Sequence, residues 1–323
     1  MRTAWLRVVV YAFVVASVSA STYFLFQDQL GKESVTKVQR LVDAPEKARQ
    51  EFAPRIASVL LVKTFYTRNR EEMKERLALY FSASMALLGA IYWMTSRHAS
   101  LLMMYGTFTA LYYCTTPVTL DTWYPWDMPA LVLSALALLL ALRQKIVPLA
   151  ILAVVSVTFK ETLLLSALYI GFMPGPNLKT RFRWCGGALI LGVATRIITE
   201  KLTGKGTPQH SHFLHDGGKP EKAFRIVQNI QELFSLQSNH LLWANAGLVL
   251  FVLLFPAGSG VLRGARYVAL IFLGGIFFLG KISEYRIFLE LLPVSLLLAH
   301  RLFAGAVFTD GAGSYAPLRR PRA

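Results

Sequence analysis

"VSVTFKETLLLSALYIGF", residues 155–172, sets a lysine and a glutamate side by side inside an apolar run. The run extends from Ile146 to Met173 and carries no other charge. As one helix rising about 1.5 Å per residue it would cross a hydrocarbon core of about 30 Å with residues to spare. It would also bury Lys160 and Glu161 near the midplane, where each charge is expensive. Two readings follow. In one, a single tilted helix turns an internal Lys–Glu pair toward its neighbours. In the other, the run breaks at Lys160 into two short helices, about 146–159 and 161–173, which form a tight hairpin with the pair at its tip, facing a wet cavity. The choice sets the number of crossings, and so which polar residues share a side.

The rest of the chain supports a membrane setting. Of 323 residues, 54% are hydrophobic and only 16% are charged, with a mean hydropathy of +0.46. A soluble domain is nearer one quarter charged. The apolar runs are continuous, which fits helices and not the alternating strands of a membrane barrel. The expectation is an all-α, polytopic transmembrane protein. The net charge of +16 does not indicate nucleic acid, because Lys and Arg fall in short clusters between apolar runs, as orientation signals do. Cys114 and Cys185 lie inside apolar runs and form neither a disulfide framework nor a metal spacing. Arg2 and Arg7 precede a first run in which "SVSA" at 17–20 resembles a processing site, but the run continues through Phe26 and reads as a retained anchor.

Apolar runs fall at about 4–26, 77–95, 99–119, 127–142, 146–173, 184–200, 241–256, 267–281 and 286–305. Breaking the fifth at Lys160 gives about ten transmembrane helices. The loops then sort by charge, with fourteen basic residues against one acid on the cytoplasmic side, as the positive-inside rule asks. Both termini become cytoplasmic. One integral membrane domain covers 1–323. Residues 27–76 form a first outer loop, 201–240 a second, and 306–323 a basic cytoplasmic tail. Within the first loop, "PEKARQEFAPRIASVLLVKTFY" at 45–66 becomes amphipathic, with Phe52, Ile56, Val59, Leu60 and Lys63 on or beside one face. The 52–66 segment, which carries Arg55 and Lys63, predicts a short helix lying in the outer interface. In the second, residues 203–220 predict a flexible loop and 221–234 a surface helix.

On this topology several polar groups gather near the outer face. "DTWYPWDMP" at 121–129 offers Asp121 and Asp127 with Trp123, Tyr124 and Trp126 between them, a set suited to a carbohydrate or polar headgroup; the plainer reading is an interfacial aromatic belt and a helix cap. "GKISEYRIFLELLP" at 280–293 brings Lys281, Glu284 and Arg286 to the start of the last helix, a cradle for phosphate or a salt-bridged turn. Glu290, inside that helix, needs a partner. Arg196 and Glu200, one turn apart, predict a pair. Asp28, just after the first helix, is placed to act as a general base or to sit as an exposed charge. His210, His212 and His215 are weak candidates for a divalent metal, with no fourth ligand beyond Asp216; a solvated loop is the plainer reading.

Three stretches carry a family resemblance: "DTWYPWDMPALVLSALALLLALRQK" (121–145), "VTFKETLLL" (157–165) and "SEYRIFLELLP" (283–293). Together they resemble bacterial multi-pass glycosyltransferases of the GT-C type. The resemblance implies a GT-C-like fold in the bacterial inner membrane and transfer of a sugar from a polyprenyl-phosphate donor on the non-cytoplasmic side. It implies Asp28 as the first-loop acid, Lys160 and Arg286, with Lys281, as contacts for the lipid phosphate, and Asp121, Asp127, Glu161 and Glu284 as acids lining the same cavity. The partners implied are the lipid bilayer and a polyprenyl-phosphate-linked sugar. No nucleic acid, protein partner or certain cofactor is implied. The alternatives are a transporter or flippase of a lipid-linked or anionic solute, and a non-catalytic membrane subunit of a larger complex.

Overall fold

The computed structural model describes residues 2–43, 55–115, 124–174, 176–202, 226–234, 260–279 and 285–308. All regular structure among them is helical. The α-helices are α1 (Arg2–Gln29), α2 (Lys32–Asp43), α3 (Ile56–Thr64), α4 (Arg70–Thr95), α5 (Arg97–Thr115), α6 (Asp127–Leu142), α7 (Ile146–Ser156), α8 (Leu178–Leu202), α9 (Ile226–Phe234), α10 (Val261–Leu279) and α11 (Leu292–Phe308). Two 3-10 helices, Glu161–Phe172 and Tyr285–Leu291, follow α7 and precede α11. Four segments are long and apolar enough to cross a membrane: Ala4–Gln29, Arg70–Thr95, Leu178–Leu202 and Val261–Phe278. The run at 241–256 lies outside the described residues.

The 146–173 run is broken. Lys160 is extended (φ −157°, ψ 128°), and the turn from 157 to 160 ends the ladder of α7, with Lys160 N bonding Ser156 O at 3.0 Å. The chain then returns as a 3-10 helix, stretched at about 2.0 Å per residue. A 3-10 run of this length is unusual, since such runs seldom exceed one turn. Pro148 and Pro129 each stand in the first turn of α7 and α6, where a missing N–H leaves no bond unmade. Pro293 comes just after the second 3-10 helix and donates nothing back to it, and Ser134 Oγ donates to the carbonyl of Glu290 instead.

Side-chain contacts fix the directions of the helices. α1 is antiparallel to α4: Tyr11 Oη donates to Gly89 O at 2.6 Å, while Phe26 stacks on Phe81 at 4.0 Å. Tyr80 Oη, near the start of α4, donates to Pro125 O at 2.8 Å, and Arg143 Nη2, past the end of α6, donates to Met94 O at 2.9 Å, so α6 runs parallel to α4. α7 then climbs back toward Asp127. The first 3-10 helix descends, because Arg181 at the start of α8 holds the carbonyls of Gly171 and Met173 at 3.2 and 3.0 Å while Arg196, late in α8, reaches Glu161. Asp28, Arg55, Tyr124, Asp127, Lys160, Glu161 and Arg196 therefore belong to one end of the bundle. Arg143, Lys145 and Arg181 belong to the other.

Several boundaries differ from the sequence reading. α4 begins at Arg70 and not near 77, because Asn69 Oδ1 accepts from Glu71 N and Glu72 N and a Glu72–Arg76 pair supports the polar first turns. α8 extends past its apolar stretch at both ends. The loop expected at 203–220 and the first residues of the helix expected at 221–234 lie outside the described residues. The segment read as the last span opens as a 3-10 helix and becomes α-helical only just before Pro293.

Close approach between helices uses glycine. A Cβ on Gly264 of α10 would fall 2.0 Å from Cβ of Phe172, and one on Gly192 of α8 would fall 2.2 Å from Leu164 Cδ1. Small residues at these crossings let the first 3-10 helix pack tightly between α8 and α10.

Candidate functional site

The broken hairpin carries two charge clusters, one closed and one open. Lys160 is buried, with its ammonium against Glu290 Oε1 and 3.9 Å from Asp127 Oδ1. Both carboxylates are closed to solvent. Glu290, the acid that lacked a partner in the sequence, also accepts from Thr162 Oγ1 at 2.7 Å, and its backbone carbonyl accepts from Ser134 Oγ at 2.7 Å. Asp127 Oδ2 accepts from Tyr124 N at 3.0 Å, which ties the segment ahead of α6 to its first turn. One ammonium thus joins the hairpin tip, the start of α6 and the second 3-10 helix. Removing Lys160 would leave two buried carboxylates without their shared cation, the most damaging way to break such a network, whereas removing either acid leaves Lys160 paired with the other.

The open cluster centres on Glu161, whose side chain is 44% exposed. Arg55 clamps it from two nitrogens, Nε to Oε2 at 3.2 Å and Nη2 to Oε1 at 2.8 Å. Arg196 approaches from α8, with Nη1 3.6 Å from Glu161 Oε2 and Nε donating to Glu200 Oε1 at 2.7 Å. The Arg55 guanidinium also lies 4.5 Å from the centroid of the Trp126 ring, a cation–π geometry. Tyr124 stacks on Trp126 at 4.6 Å and 6° between planes. Backbone contacts seat α3 on the hairpin tip: Ala57 N donates to Thr158 O at 3.2 Å, and Ser58 Oγ lies 3.5 Å from Phe159 O.

These positions revise the sequence reading of several residues. Lys160, read as a contact for lipid phosphate, is enclosed by two carboxylates. Trp126, read as an open sugar platform, is fully buried under Tyr124 and Arg55, and Tyr124 is half-buried. Arg55, read as part of an interfacial helix, turns inward. The Arg196–Glu200 pair forms as the spacing predicts. Asp28 belongs to the same end of the bundle and is exposed, accepting from the Gln29 side chain at 2.8 Å. Arg286 is placed in the second 3-10 helix, but its side chain is not among those described. Asp121, Trp123, Lys281, Glu284, His210, His212 and His215 lie outside the described residues. Among the described residues no group of three His, Cys, Asp or Glu side chains is arranged to hold a metal ion.

Sequence reasoning missed Arg55 and Arg196 as members of the site and left Glu290 without one. Each carried a signal. Arg55 directly follows Pro54 at a helix start, Arg196 is the one charge between Arg183 and Glu200 in α8, and Glu290 is the one charge between Arg286 and Arg301.

The chain matches no protein-family model, no curated protein and no solved structure.

Proposed function

We propose that this chain is a GT-C-like glycosyltransferase of the bacterial inner membrane, with about ten crossings and both termini cytoplasmic. It transfers a sugar from a lipid-linked phosphate donor to an acceptor hydroxyl on the non-cytoplasmic side. The observation that carries this reading is the gathering of Arg55, Arg196 and the half-exposed Glu161 at the tip of a broken membrane hairpin, at the end of the bundle where Asp28 stands open to solvent.

Roles follow from what each group is already bound to. Asp127 and Glu290 are committed to Lys160, and Glu161 to two guanidiniums. Of the candidate acids among the described residues, Asp28 is the one both open to solvent and outside these ion pairs, and it takes the acceptor's proton. The acceptor oxygen forms a new bond to the anomeric carbon as the carbon–oxygen bond to phosphate breaks. The electron pair leaves with the lipid phosphate, whose charge the cations of this end stabilise in water-poor surroundings. Attack from the face opposite the leaving group inverts the anomeric centre. Of the candidate rings among the described residues, the half-buried Tyr124 is the one with surface open to a sugar.

A transporter or flippase of a lipid-linked anion is the second reading, favoured by the broken helix with buried charges, a feature of transport sites. The discriminating experiment supplies purified full-length protein in nanodiscs with polyprenyl-phosphate sugars and an acceptor extract. Transfer by the wild type and its loss in Asp28→Asn support the enzyme. Movement of labelled donor across vesicles without product formation supports the transporter.

A further inference from the structure

Glu161 has two acceptor oxygens, and Arg55 takes both of them. Arg196 Nη1 is buried 3.6 Å from the same carboxylate and makes no hydrogen bond in this structure. Two guanidiniums therefore face one planar anion that satisfies one of them. A tetrahedral phosphate brings a third oxygen and more charge. It can accept the fork of Arg55 and still offer an oxygen to Arg196, the pairing for which guanidinium is well shaped. Trp126 backs Arg55 from the buried side, and Glu200 holds Arg196 through Nε, so both cations are positioned before any ligand arrives. The carboxylate between them is accessible and is the first residue of its helix, so it can swing away without breaking a ladder.

We propose that Arg55 and Arg196 form a site for a phosphate monoester or diester, and that Glu161 is its resident occupant, displaced when the phosphate binds. The site rests on the reading above only for the identity of the phosphate as that of a sugar donor. Arg55 also anchors α3, so the bound anion bridges the first loop and α8 through its own oxygens while Glu161 is released.

The test uses the full chain in nanodiscs of uncharged lipid, titrated with inorganic phosphate in one arm and with a short-chain polyprenyl phosphate in the other. Binding is read by native mass spectrometry and by the rise in thermal midpoint. Glu161→Gln removes the competing charge and is expected to tighten phosphate binding about tenfold, a change of about 1.4 kcal/mol. Arg196→Gln is expected to weaken phosphate binding on its own and to abolish the gain when combined with Glu161→Gln. Tightening in both arms identifies phosphate itself as the ligand, and tightening in the lipid arm alone identifies the lipid headgroup. Unchanged or weaker binding in Glu161→Gln in both arms, by both readouts, overturns the proposal. If Glu161→Gln tightens phosphate but no donor supports transfer, the anion site stands and the glycosyltransferase reading falls. If transfer occurs and Glu161→Gln gains nothing, the reverse holds.

Discussion

Lys160 and Glu290 form an ion pair sealed from solvent, their side chains 8% and 5% exposed, between the tip of the broken hairpin and the segment that opens the last helix. Asp127 shares the same ammonium at 3.9 Å. One cation between two acids makes the loss of the cation worse than the loss of either acid. Lys160→Met is expected to destabilise the protein by about 3–5 kcal/mol, the range for breaking a buried pair. Glu290→Gln is expected to lower stability by less, because Lys160 keeps Asp127. Denaturant unfolding in detergent measures both, and the opposite order contradicts a shared ammonium.

The glycine crossings give a packing prediction. Gly264→Ala puts a methyl carbon on Phe172, so α10 must move off the 3-10 helix, with an expected loss of about 1–3 kcal/mol or more. Gly186→Ala, inside α8, meets open space and should not destabilise, since alanine is the better helix former by up to about 1 kcal/mol. Thermal midpoints of the two variants, side by side, check the difference. Adding Phe172→Ala to Gly264→Ala should recover part of the loss.

Arg55 holds α3 on the hairpin tip, and Ser58 is buried beneath that contact. A cysteine at position 58 should resist a water-soluble maleimide in the otherwise wild-type chain. With Arg55→Gln it should react about tenfold faster, the effect of about 1.4 kcal/mol on an opening equilibrium. Equal rates would mean that α3 is held by something else.

The segment between α1 and α4 carries a pH-dependent contact. Tyr66 Oη donates to Asp43, and this hydrogen bond raises the phenol above its usual value of 10.0. The folded protein favours the protonated phenol, so this contribution is present below pH about 10 and is lost as pH rises through the folded value. In Asp43→Asn the Tyr66 phenolate, followed by absorbance as the difference from Tyr66→Phe, should appear at lower pH. An unshifted titration would show that the bond is absent in solution.

How much of this could be read in advance follows the physics of each signal. The break at Lys160 was legible because a lysine and a glutamate in an unbroken apolar run have few low-energy arrangements. The helical class and the Arg196–Glu200 pair were legible because hydropathy and one-turn spacing are local. The partners of Lys160 were not, since Asp127 and Glu290 come to it from distant stretches, and nothing local marks one acid over another. Arg55 was misplaced for a related reason: the pattern of 52–66 shows that a helix forms, but not that the residue just before its first turn points inward onto Trp126. The length of the 3-10 helix had no sequence signal, because the close crossings at Gly192 and Gly264 that enclose it are tertiary.

The most direct test is a double-mutant cycle on Arg55 and Glu161, which belong to the first loop and the hairpin tip. Stability of the wild type, Arg55→Ala, Glu161→Ala and the double variant is measured by unfolding in detergent. Residues in one network are expected to couple by at least about 1 kcal/mol, whereas independent sites add to within about 0.3–0.5 kcal/mol. Coupling at that level is the predicted result. Additive losses would mean that the two segments do not meet, and that the charges at the break do not form a common site.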